Sequence, residues 1–140
     1  MNINGQPYRT IWINEDGALS AINQQRLPHR FEVVTLATPQ AVCDAIRDMT
    51  VRGAVLIGAA AAYGVWVAAQ HAAARGAALP PQAALAAFTA ELQTQAARLK
   101  ATRPTASTLA WAVQRQLATM AGSASVAGQV ALARAGAQAI

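Results

Sequence analysis

Residues 54–69, "AVLIGAAAAYGVWVAA", form sixteen consecutive positions without a charge. They follow directly on Arg52-Gly53. An uncharged run of this length has two stable homes, a membrane or the centre of a helical core. It is shorter than the roughly 20 apolar residues a spanning helix needs. Its alanines and glycines also make it only weakly hydrophobic. The run therefore predicts a buried helix, surrounded by other helices, and no membrane span. The preceding arginine is the residue that burial does not explain.

The rest of the chain divides near residue 38. Before that point the pattern is strand-like. Ile11 and Ile13 alternate with Thr10 and Trp12, "NEDG" offers a turn, and Leu19 and Ala21 follow. Asp16-Gly17 between two such runs predicts a hairpin. A third strand falls within Arg30 to Leu36, after a break at Pro28. Residues 1–37 are thus expected to contribute a three-stranded antiparallel sheet.

Residues 38–140 are expected to be the helical part of the same domain. Thr38-Pro39 supplies an N-cap and a first-turn proline. Val42, Ala45, Ile46 and Met49 recur at helical spacing. Gly76 closes the apolar helix. "LPP" at Leu79 opens another, with Leu85, Phe88, Leu92 and Leu99 on one stripe. "TRPTAST" interrupts it, a helix from about Thr105 to Met120 carries Leu109, Val113 and Leu117, and "AGSASVAG" is a loose joint before an alanine-rich end. The fold class predicted is α+β, with a three-stranded antiparallel sheet followed by a bundle of four or five helices.

Charge narrows the function. Only 12% of the 140 residues are charged, about half the usual share. Part of the surface is therefore expected to be covered by another domain or chain. The net charge of +5 comes from eleven basic and six acidic residues, but the arginines are scattered and form no run. That distribution suits a small anionic ligand better than nucleic acid. Cys43 is the only cysteine, which precludes an internal disulfide and points to a reducing, cytoplasmic setting. The amino terminus lacks an apolar signal core.

Few side chains here suit catalysis. His29 and His71 have no carboxylate at helical spacing, so no metal site is expected. Cys43 reads as a packed thiol, and Asp44 and Asp48 as a solvated face beside Arg47. Two segments stand apart. Arg52-Gly53-Ala54 and Arg103-Pro104-Thr105 each place an arginine just before a helix. Free backbone N–H groups and the positive end of the helix dipole favour an anion there. The guanidinium adds a two-pronged donor. Gly53 permits close backbone approach, and Pro104 favours an extended Arg103. A phosphate ester is the ligand such sites would take, although on physics alone an ordinary surface arginine is the stronger explanation of either motif.

The order of "RTIW", "LP" with a following "F", "AI-DM-VRGA", "IG-AAAYG" and "TRPT---LAWA" resembles the N-terminal domain of the methylthioribose-1-phosphate isomerase family. Its relatives include ribose-1,5-bisphosphate isomerase and the regulatory subunits of the eukaryotic initiation exchange factor. The resemblance covers roughly residues 5–120. It implies an aldose–ketose isomerase of methionine salvage that binds a phosphorylated pentose without a cofactor. It implies Arg52, Gly53, Ala54 and Arg103 as substrate-binding residues, and a homodimer for the full-length family. The family's catalytic cysteine and aspartate belong to a C-terminal Rossmann-like domain, so no catalytic residue is expected in this chain and it reads as an N-terminal piece that is inactive alone. The other reading is a non-catalytic binding module of the same fold. Val55 stands where the family usually has proline, and Asn23-Gln24 where it commonly has Asp-Gln.

Overall fold

A computed structural model describes residues 2–140. It is an α+β fold, as the patterning predicts. A small hairpin of β1 (Asn2–Ile3) and β2 (Gln6–Pro7) comes first; its strands are too short to leave a hydrophobic alternation. Then β3 (Ile11–Ile13), β4 (Leu19–Ile22) and β5 (Val33–Thr35) form an antiparallel sheet in that order. Ile11 faces Ala21 and Ile13 faces Leu19, while Ile22 faces Val33. The central strand β4 is buried on both faces.

The turn after β3 is fixed locally. The Asn14 Oδ1 atom accepts from the Asp16 and Ala18 amides, each at 3.0 Å. Its Nδ2 donates to Ser20 Oγ at 3.1 Å. The asparagine thereby reproduces a backbone turn with its own side chain.

Five helices follow: α1 (Pro39–Arg47), α2 (Ala54–Arg75), α3 (Pro81–Thr102), α4 (Ser107–Met120) and α5 (Val126–Gln138). Thr38 caps α1, its Oγ1 accepting from the Ala41 amide at 3.0 Å. The uncharged run is the centre of the bundle. Helix α2 packs against each of the other four helices and against β3, and its buried side chains include Tyr63, Val65, Trp66 and Val67. Full burial of one large apolar side chain contributes about 1.5–3 kcal/mol, so this helix carries much of the driving force for folding.

Close packing explains the small residues. A Cβ on Gly64 would lie 2.9 Å from Val42 Cγ1 and 3.0 Å from Leu99 Cδ2. Both neighbours are fully buried, so glycine lets α1, α2 and α3 meet at one point. A buried polar residue, Gln116, ties the other side. Its Nε2 donates to the carbonyls of Ala62, at 2.9 Å, and Ala133, at 2.8 Å, joining α4 to α2 and α5.

Helix α2 ends at Arg75, with Gly76 as its cap, as expected. Its 22 residues are long and apolar enough to cross a membrane by length and composition, but two thirds of its most apolar window is buried inside the bundle. Two expectations are corrected. Helix α4 begins at Ser107 and not near Thr105, because the residues after Pro104 form a turn in which the Ala106 amide donates to the Arg103 carbonyl at 3.0 Å. The joint before α5 is shorter than expected and not loose. Ser125 caps α5, its Oγ accepting from the Gly128 amide at 3.0 Å.

Candidate phosphate site

The segment that presents Arg52 is tied down from both sides. Asp48 follows α1 as its cap. Its Oδ1 accepts from the Thr50 amide at 2.9 Å and from Thr50 Oγ1 at 2.6 Å. The Thr50 carbonyl accepts the Gln24 amide at 2.8 Å, and the Gln25 side-chain amide donates to the Asp48 carbonyl. Met49 takes a positive φ of 67°, an uncommon conformation for a residue with a side chain. Val51 is fully buried. With Thr50 and Val51 anchored inward, Arg52 emerges exposed on the surface. Asp48 is thus a structural clamp, a role that the reading of a solvated acidic face missed. The spacing Asp48-x-Thr50 is the signal for it, since an aspartate commonly accepts from the amide two residues on.

Gly53 then turns the chain into α2. Its φ is +91°, in the region that disfavours L side chains. A Cβ there would meet nothing within 4 Å. Glycine is required here by the backbone angle, and the open space beside it leaves the backbone accessible. No side chain caps α2, and its first turn contains no acid. The amides at the start of the helix remain available as donors. Ala54 is the first helical residue, which places Val55 second. Val55 is 82% exposed and, unlike proline, it retains an N–H.

Arg103 arrives from the opposite side as the residue that ends α3. It is half-buried. Thr102 behind it is buried, its Oγ1 donating to the Leu99 carbonyl at 2.5 Å. Thr108, in the first turn of α4, donates its hydroxyl to the Ala54 carbonyl at 3.1 Å. The two arginine segments, 51 positions apart in sequence, are thereby drawn together.

The result is one cleft of about 450 Å³ that contains all four residues singled out in the sequence, Arg52, Gly53, Ala54 and Arg103. Met49, Ile57, Thr105, Ala106, Ser107 and Thr108 complete it. A larger cleft of about 680 Å³ opens on the other side of the start of α2. It shares Arg52, Gly53 and Ala54, and adds Tyr8, Arg9, Thr10, Gln24, Leu56, Ala59 and Tyr63, among others. Sequence reasoning did not find this second cleft. Arg9 and Tyr63 both lay in quoted motifs, but nothing in one dimension shows that they face each other.

The charged side chains of both clefts are all arginines. Arg9, Arg52 and Arg103 form no ion pair or hydrogen bond with any described residue. No carboxylate, imidazole or thiol side chain lines either cleft among the described residues. Burial pushes the Tyr63 phenol up from its ordinary value, while the charges of Arg9 and Arg134 act against that rise. The other titratable candidates lie elsewhere. His71 Nε2 is 2.9 Å from the Ala37 carbonyl. Cys43 is buried in α1, and burial raises its thiol pKa. The arrangement can hold an anion through guanidinium and backbone donors. It offers no ready proton shuttle.

Known proteins share this architecture. The chain is similar to methylthioribose-1-phosphate isomerase of Brucella anthropi, with 58% identity over 69 residues, which are 49% of this chain and 19% of that protein. The crystal structure of 5-methylthioribose 1-phosphate isomerase from Pyrococcus horikoshii OT3 matches 94% of this chain with a TM-score of 0.79 and 29% identity. That of the translation initiation factor eIF-2B subunit delta from A. fulgidus matches 95% with a TM-score of 0.77 and 27% identity. The chain spans about a third of the length of each of these two structures, 35% and 36%. The sequence profile of the Initiation factor 2 subunit family matches residues 50–139, from Thr50 in the clamped loop through all of α2, α3, α4 and α5. By that match, this chain belongs to the Initiation factor 2 subunit family.

Proposed function

We propose that this chain supplies the phosphate-binding wall of a methylthioribose-1-phosphate isomerase site, used in methionine salvage in the cytoplasm. The observation that carries the reading is the meeting of unpaired Arg52 and Arg103 in one acid-free cleft at the start of α2. A phosphate there would receive two charge-assisted guanidinium contacts, backbone amides and the favourable end of a 22-residue helix. The similarity to isomerases of this name supports the choice of ligand.

The reaction converts an aldose phosphate to a ketose phosphate by moving a hydrogen from C2 to C1. That needs an acid–base pair, and such groups typically contribute about 10²–10⁴-fold. The cleft linings supply donors for binding and no such pair, so in this proposal the proton-transfer groups come from a Rossmann-like domain facing the cleft. The substrate is held between the two, in a homodimeric enzyme. Joining this chain to the remainder of the Brucella anthropi isomerase tests the reading. The joined protein is expected to form ketose from methylthioribose-1-phosphate, and the 140-residue chain alone is not. Turnover by the joined protein that survives the combined Arg52→Ala and Arg103→Ala changes would refute it.

A second reading is a non-catalytic module that binds a sugar phosphate. It is favoured by the similarity to the subunit delta structure and by the lack of a proton shuttle in the clefts. Binding of the sugar phosphate by the chain, with no turnover in the joined protein, would select it.

A further inference from the structure

The larger cleft holds a polar group with no hydrogen-bond partner among the described residues. Tyr63 is only 3% exposed. Its ring meets Trp66 edge-on, with centroids 6.5 Å apart. Its hydroxyl makes no hydrogen bond to any described residue, yet the residue lines the cleft. The hydroxyl oxygen is not itself sealed from solvent; it is open to the cleft, where water or a ligand can pair it. Arg9 lines the same cleft, is equally without a hydrogen-bonding partner, and is close enough for its charge to act on the phenol.

The position of Tyr63 relates it to the phosphate cleft. It follows Ala54 by nine residues on one continuous helix, about 13.5 Å along the axis. Side chains on a helix lean toward its N-terminus, which brings the phenol back toward Arg52. Leu56, Ala59 and Tyr63 recur at helical spacing along this wall, and the small Ala59 leaves the trough open. Because the two clefts share Arg52, Gly53 and Ala54, the trough continues past the start of α2 to Arg103.

We infer that Tyr63 is a specificity-determining residue, its hydroxyl bonding a hydroxyl group on the body of a phosphorylated sugar whose phosphate lies at Arg52 and Arg103, with Arg9 as a second donor. The inference rests on the phosphate reading above and extends the ligand along α2. A bare phosphate occupies only part of the smaller cleft and does not reach Tyr63. A sugar phosphate extends from the smaller cleft into the larger one.

Calorimetric titration of the chain with inorganic phosphate and with methylthioribose-1-phosphate separates the two ideas. The Tyr63→Phe variant is expected to bind inorganic phosphate as the unaltered chain does, and methylthioribose-1-phosphate about three- to tenfold more weakly, the range for one lost neutral hydrogen bond. Its melting temperature should barely change, since the hydroxyl has no hydrogen bond to a described residue to lose. Arg9→Gln should show the same ligand pattern. Equal binding of the sugar phosphate by both variants and the unaltered chain would overturn the role of Tyr63 and Arg9 and leave the phosphate reading standing. A fall in melting temperature on Tyr63→Phe with equal loss of both ligands would overturn it as well, by showing a structural hydroxyl. Failure of the unaltered chain to bind either ligand would overturn both ideas together.

Discussion

Thr108 donates its hydroxyl to the Ala54 carbonyl across 3.1 Å, joining the first turn of α4 to the first turn of α2. This contact fixes the spacing of the two loops that carry Arg52 and Arg103. Thr108→Val keeps the shape and removes the donor. It should lower stability by about 0.5–1.5 kcal/mol and weaken phosphate binding without removing either guanidinium. Chemical denaturation and phosphate titration on the same sample would check both effects; unchanged phosphate affinity would show that the contact does not set the cleft.

The arginines themselves should matter more. Arg52→Ala and Arg103→Ala are each expected to weaken binding of a phosphorylated sugar by about 1.5–3 kcal/mol, roughly ten- to a hundredfold, as for a lost charge-assisted contact. Neither residue has a hydrogen-bond or ion-pair partner among the described residues to lose, so melting temperatures should barely move. Because both act on one phosphate, the double variant is expected to depart from additivity.

Two glycines on α2 make a matched pair. Gly64→Ala inserts a methyl group within 3.0 Å of Val42 and Leu99. Overpacking of this kind costs about 1–3 kcal/mol, which should outweigh the roughly 1 kcal/mol gained from alanine's helix propensity. Gly58→Ala meets its nearest atom, the Thr108 carbonyl oxygen, at 3.5 Å, an ordinary contact. There the propensity gain should prevail. Opposite shifts in denaturation midpoint are expected, and a shift of the same sign in both would contradict the packing argument.

Gln116 holds three helices through one amide. Gln116→Leu removes both hydrogen bonds while roughly preserving volume, and should cost about 1–3 kcal/mol. Hydrogen exchange should speed up most in α5, which relies on Ala133 for one of these bonds.

Cys43 gives a pH test. Burial raises its pKa above the ordinary 9.0, so the folded protein binds the thiol proton more tightly than the unfolded chain. The associated stability is fully present below the unfolded pKa and is lost as pH rises through the folded value. Stability should therefore decline above about pH 9, and less so in a Cys43→Ala background. In the folded protein at pH 8, alkylation should be slow, and denaturant should release it.

Local rules made several features readable from sequence. Thr38-Pro39 starts α1 because a side-chain acceptor and a fixed φ act within one turn. The uncharged run becomes the central helix because burial is its lowest free energy in water, and its length excludes a strand. The alternation around Ile11, Ile13, Leu19 and Ala21 fixes the sheet because a strand's faces repeat every two residues. Arg52 and Arg103 were suspected individually, since each precedes a helix. The family resemblance implied one substrate site for both, but the geometry of their meeting was not legible. It depends on the crossing of α2 and α4, which the Thr108 contact and the small residues on α2 set in three dimensions. Asp48 looked solvated because its acceptor role is directed at Thr50 and needs the loop's path to be seen. Tyr63 looked like core, and by burial it is. Only the tertiary structure shows its hydroxyl without a hydrogen-bond partner among the described residues at the wall of a cleft shared with Arg9, because the cleft is formed by segments more than fifty positions apart, brought together by the burial of α2.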